Sequence, residues 1–133
     1  MKTPCRLTRR NKAFSLVEVL AAITIIAVIT FLAIPNIVQV KRDGEDGLAR
    51  ARADALNVAV AAYFQAVGPE AALTAWSGAD NDARYSLIAP YLAFAPGTLA
   101  GYMPNGYNVT FSATEPHRVK ATLLGPGNVS IAY

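Results

Sequence analysis

Apolar and polar residues follow three different rhythms along this chain. Residues 14–34 read FSLVEVLAAITIIAVITFLAI, 21 positions in which Glu18 is the one ionisable group. As a helix rising about 1.5 Å per residue this stretch spans roughly 32 Å, the thickness of a bilayer core. No small-x-small cleavage site follows promptly, because Ile34 is succeeded by Pro35, Asn36, Ile37, Val38, Gln39 and Val40. The apolar segment is therefore predicted to be retained rather than removed as an ordinary secretory signal. A charged patch at residues 41–47 comes next. Beyond it Leu48, Ala55, Leu56, Ala59, Tyr63 and Val67 recur at helical steps and predict one buried face. Gly68-Pro69 ends that helix. Continuous from residue 14 to 67, it would be about 80 Å long. A domain of this mass cannot enclose such a rod, so its first half has to be buried in lipid or in other subunits.

The last 66 residues change rhythm again. Residues 70–76 and 82–92 read as short helices separated by Ser77-Gly78. Residues 107–112, 118–124 and 129–133 then alternate with a period of two, parted by Glu115-Pro116 and by Gly125-Pro126-Gly127-Asn128. Short connections predict an antiparallel meander. A unit of this size without disulfides is marginal alone, so its sheet is expected to pack on the Leu56, Tyr63 and Val67 face of the helix. The fold class that follows is α+β: a long N-terminal helix, membrane-spanning in its first half, on a small C-terminal antiparallel β-sheet head. Four parts are expected, namely residues 1–13, 14–40, 41–67 and 68–133.

Charge changes the picture at one end only. The formal charge is +3, yet Lys2, Arg6, Arg9, Arg10 and Lys12 all precede the apolar run with no acid among them. Beyond residue 13 seven basic and nine acidic side chains remain, a net of −2, which gives no nucleic-acid footprint. A buried helix of a soluble core would also be apolar, but five upstream cations supply the asymmetry of a membrane helix with a cytoplasmic N-terminus. The single cysteine, Cys5, lies in the same leader, so an intramolecular disulfide is ruled out.

Glu18 is costly so near the start of a membrane helix unless it meets a positive charge. It has two options: reaching the headgroups, where Lys12, Arg10 or water would meet it, or finding a partner on another molecule. The run Lys12-Ala13-Phe14-Ser15-Leu16-Val17-Glu18 ahead of a long apolar stretch resembles the class III signal of type IV prepilins and type II secretion pseudopilins. That resemblance implies cleavage between Ala13 and Phe14 by a prepilin peptidase, N-methylation of Phe14 by the same enzyme, and Glu18 as the fifth residue of the mature chain. The family usually carries Gly before the cut; Ala13 keeps a small residue there. In the family the acid neutralises the α-amino group of a neighbouring subunit as filaments form, so a buried pair would set the stagger between subunits. Pro35 corresponds to the position where pilin helices often bend, the reading preferred here over a mere helix terminator.

Other chemistry is sparse. The sequence holds no GxSxG, GxxxxGK[ST] or HExxH motif and one histidine, His117, beside Pro116 in a turn. No enzymatic role and no cofactor are expected. Asp80-Asn81-Asp82 offers oxygens to Ca²⁺, which some pseudopilins bind in their heads, but it also offers a cap to the helix that starts there. The resemblance implies a subunit of a type IV pilus-like or type II secretion pseudopilus filament. Its partners would be the prepilin peptidase and methyltransferase, identical or homologous pilin subunits, the inner membrane and the assembly machinery. It would sit in the bacterial inner membrane as a single-pass chain, with its head periplasmic or on an extracellular filament. The absence of the C-terminal cysteine pair of many major pilins favours a pseudopilin-like subunit. The alternative is a monomeric, membrane-anchored binding protein of the cell envelope.

Overall fold

A computed structural model describes residues 14–133. The leader, with Cys5 and Ala13, lies outside the described residues. The elements in order are α1 (Leu16–Val67), α2 (Pro69–Ser77), α3 (Asn81–Ile88), a 3-10 turn (Ala89–Tyr91), α4 (Leu99–Tyr102), β1 (Asn108–Thr110), β2 (Thr122–Gly125) and β3 (Val129–Ile131). The chain divides into two compact units between Val40 and Lys41.

In the first unit every described residue is exposed, and α1 is long and apolar enough there to cross a membrane. Its two threonine hydroxyls turn back on the helix. Thr24 donates to the Leu20 carbonyl at 2.7 Å and Thr30 to the Ile26 carbonyl at 2.8 Å. Both hydroxyls are thus satisfied within the helix, as a lipid environment requires of them. The helix runs through Pro35, whose missing N–H deprives the Phe31 carbonyl of its helical donor.

In the second unit the remainder of α1 forms a wall of the core. Ala49, Ala53, Leu56, Ala59, Val60, Tyr63 and Phe64 are buried on it, a set turned by about 60° from the expected face at 3.6 residues per turn. Leu48 and Val67, expected inside, are 46% and 45% exposed. Ala49 and Ala53 are fully buried on this wall, and aromatic residues follow toward its end, where Trp76 packs on Tyr63 and Phe64. The rings of Phe64, Trp76 and Phe111 meet edge to face at 5.6 to 5.8 Å. Val109 and Leu123 of the sheet are fully buried in the same cluster.

The sheet is an antiparallel meander in the order β1-β2-β3, with Val109 opposite Leu123 and Leu123 opposite Ile131. Together with the helix it gives the α+β, pilin-like architecture expected. Strand β2 begins at Thr122 rather than 118, because residues 115–119 form a helical turn in which Arg118 and Val119 both donate to the Glu115 carbonyl. Pro126 and Gly127 occupy the centre of the turn after β2. Gly127 has φ 79°, and the Asn128 N–H donates to the Gly125 carbonyl at 3.0 Å. The four-residue α4 was not expected, although Thr98 caps it through the Gly101 N–H.

Side chains close the edges of this unit. The Asn81 amide donates to the Val109 carbonyl at 2.6 Å and accepts from the Phe111 N–H at 3.0 Å, completing the free side of β1 as a neighbouring strand would. Arg84 lies over Trp76 and donates to the carbonyls of Trp76 and Phe111. On α1, Asn57 accepts from the Ala121 N–H and donates to the Tyr133 hydroxyl. Among the described residues no buried side-chain polar atom lacks a partner.

Candidate functional site

The site that the sequence singles out is the beginning of α1. Phe14 is 80% exposed and lies just before the helix, and Glu18 sits in its first turn. The Ser15 carbonyl accepts from the N–H groups of Glu18 and Val19 at 3.0 and 3.2 Å, which starts the helical ladder. A carboxylate here faces the positive end of the helix dipole. Among the described residues no ion pair reaches Glu18, and the first described cation along the chain is Lys41. The acid therefore stands at the head of an uncovered apolar rod, four residues beyond Phe14. An anion so placed can pair with a cation brought by another molecule, and in an apolar bundle such a pair fixes register. Phe14 and Glu18 thus lie together at the start of α1, Pro35 lies far along it, and Ala13 is outside the described residues.

The second patch of interest holds Asp80 and Asp82. Asp80 is the N-cap of α3, its carboxylate accepting from the Ala83 N–H at 2.8 Å, and Asp82 is exposed in the first turn. Among the described residues no three acidic, histidine or cysteine side chains cluster as a metal site. His117 is exposed and stacks on Phe64 with ring centroids 5.1 Å apart.

Sequence reasoning passed over the polar contacts that hold α1 in the head. The Tyr107 hydroxyl donates to the Asp46 carboxylate, and Arg52 donates to the Tyr102 carbonyl while its guanidinium lies 5.6 Å from that ring. The Asp46 contact, with burial and the nearby acid charges adding to it, pushes Tyr107 up to about 12. Burial raises Tyr85, Tyr102 and Tyr133 above their ordinary range. An acid and a tyrosine 61 positions apart give no local signal; a charged patch directly after an apolar run was the visible trace.

Residues 8–34 match the family model for the prokaryotic N-terminal methylation motif, the prepilin-type cleavage and methylation signal of type IV pilins and pseudopilins. The match covers about a fifth of the chain and includes Ala13, Phe14 and Glu18. No curated protein and no solved structure matches significantly.

Proposed function

We propose, from the prepilin-type signal carried by residues 8–34, that this protein is a structural subunit of a type IV pilus-like or type II secretion pseudopilus filament. Prepilin peptidase cuts between Ala13 and Phe14 and methylates Phe14. The signal and the apolar helix give membrane anchoring; the five leader cations orient the N-terminus to the cytoplasm and leave the head outside the inner membrane. The filament forms when apolar helices leave lipid and bundle with one another, Glu18 pairing with the α-amino group of a neighbour's Phe14.

The observation that carries this reading is the position of Glu18, an unpaired acid among the described residues, four residues after Phe14 inside the matched signal and at the head of a helix with no protein cover. In a simple anchor the carboxylate would only reach the headgroups, to Lys12, Arg10 or water, and its spacing from Phe14 would have no role. The test is Glu18→Ala in the full chain, expressed with a prepilin peptidase and an assembly system. Membrane insertion, trimming and head folding are expected to persist while filament incorporation falls by an order of magnitude or more, since an unpaired buried charge costs a few kcal/mol. Wild-type incorporation of the variant would refute the pairing, and an untrimmed wild-type chain would leave the monomeric anchor as the better account.

A further inference from the structure

Three acid or amide side chains stand directly before a glycine in the described chain: Asp43-Gly44, Asp46-Gly47 and Asn105-Gly106. In such a pair the glycine nitrogen can attack the side-chain carbonyl carbon of the residue before it, because no Cβ shields that nitrogen or stiffens the backbone around it. The fold separates the three. Gly44 and Gly47 lie inside α1, where the helical ladder holds their N–H groups and the peptides around them. Asn105 and Gly106 are exposed and form the centre of a turn closed by one hydrogen bond, from the Tyr107 N–H to the Pro104 carbonyl at 3.0 Å. Gly106 has φ 85°, as the third residue of a type II turn requires. Among the described residues neither the Asn105 side chain nor the Gly106 N–H finds a hydrogen-bond partner. The other described asparagines are protected. Asn36, Asn57, Asn108 and Asn128 precede isoleucine or valine, whose branched side chains crowd the attacking nitrogen, and Asn81 has both ends of its amide engaged.

We propose that Asn105 is a site of spontaneous modification, passing through a cyclic imide with Gly106 to an aspartyl or isoaspartyl residue, and that the isoaspartyl form loosens the hold of Tyr107 on α1. The inference is independent of the filament reading. Water and hydroxide are the co-reactants. As the Asn105-Gly106 peptide rotates out of the turn, the Gly106 nitrogen gives its proton to hydroxide and bonds to the Asn105 side-chain carbonyl carbon. The tetrahedral adduct then breaks its bond to the side-chain nitrogen, which takes a proton from water and leaves as ammonia, restoring the hydroxide. Water next adds to one of the two imide carbonyls. Opening at the side-chain carbonyl leaves aspartate on the original backbone. Opening at the main-chain carbonyl routes the backbone through the side chain and lengthens it by one carbon. Either product gives the head one more negative charge. The longer backbone lies between the two groups that close the turn, and this turn delivers Tyr107, whose hydroxyl donates to Asp46 on α1. The change accumulates with the age of the chain.

The experiment incubates the full, detergent-solubilised chain at mildly alkaline pH in heavy-oxygen water and maps its peptides by mass spectrometry with fragmentation. Position 105 is expected to exchange its amide for a labelled carboxyl, in two chromatographically distinct products, about tenfold or more faster than any other described asparagine. Conversion at 105 no faster than at Asn108 or Asn128 would overturn the site. Asn105→Gln, whose ring closure is slower by its extra methylene, should keep its amide over the same period. Tyrosinate absorbance then reads the consequence. In the fresh chain Tyr107 ionises at about 12; in the isoaspartyl fraction one tyrosine is expected to ionise earlier, whereas Asn105→Gln incubated alongside should titrate as the fresh chain does. An isoaspartyl fraction that titrates like the fresh chain would overturn the loosening.

Discussion

Glu18 and Phe14 were conspicuous in the sequence, as a lone acid in 21 apolar positions and the first residue after a basic leader, and the roles proposed for them come from the resemblance to prepilin signals. Asp46, Asn81 and Arg84 were not, since their roles depend on which backbone edge the fold lays beside them. Asn81 read as part of an acidic cap or calcium loop, yet its side chain serves β1. Asn81→Leu should lower head stability by about 1–3 kcal/mol, the cost of leaving the Val109 carbonyl and Phe111 N–H unpaired; denaturant unfolding of the detergent-solubilised chain measures it. Tyr107 gives a pH prediction with a definite sign. Its folded value of about 12 exceeds the ordinary 10.0 of the unfolded chain, so the folded state holds its proton more tightly. Its stabilising contribution is whole below pH 10 and is lost as pH rises from 10 through 12. Asp46→Asn should bring forward the ionisation of one tyrosine, followed by tyrosinate absorbance, and shrink the alkaline loss of head stability in that window.

At the scale of elements, α1, α2, α3 and the three strands were all readable, and the errors have physical causes. The second half of α1 is alanine-rich and carries apolar residues on two sides, so spacing alone did not decide which side the head covers. Leu48 satisfied the periodicity but lies beside the covered face, 46% exposed, and Val67, on the last turn of α1, is 45% exposed. Strand β2 starts late because Glu115, with φ 51°, and Pro116 turn the chain before pairing begins. The rotated face makes a direct prediction: Leu56→Ala, at a fully buried position, should destabilise the head by about 2–5 kcal/mol, whereas Leu48→Ala should change it by less than about 0.5 kcal/mol. Equal losses in thermal unfolding would return Leu48 to the core. Asp80→Ala removes the α3 cap and is expected to cost about 1 kcal/mol, with no dependence on added Ca²⁺ if capping is its whole role.

For the whole molecule, the sequence and the structure divide the chain by solvent. The unit after Val40 has a satisfied aromatic core and a closed sheet edge, while the described part of the unit before it buries nothing. A surface of that kind needs lipid or other chains around it, and it overlaps the matched signal at residues 8–34. The proposed filament role depends on the leader being cut between Ala13 and Phe14. The most direct measurement is therefore intact mass and N-terminal fragmentation of the membrane-borne chain from cells with and without prepilin peptidase. The account predicts a chain beginning at N-methylated Phe14 only where the peptidase is present; a chain that keeps Met1 through Ala13 there, or one cut beyond Ile34, would contradict it.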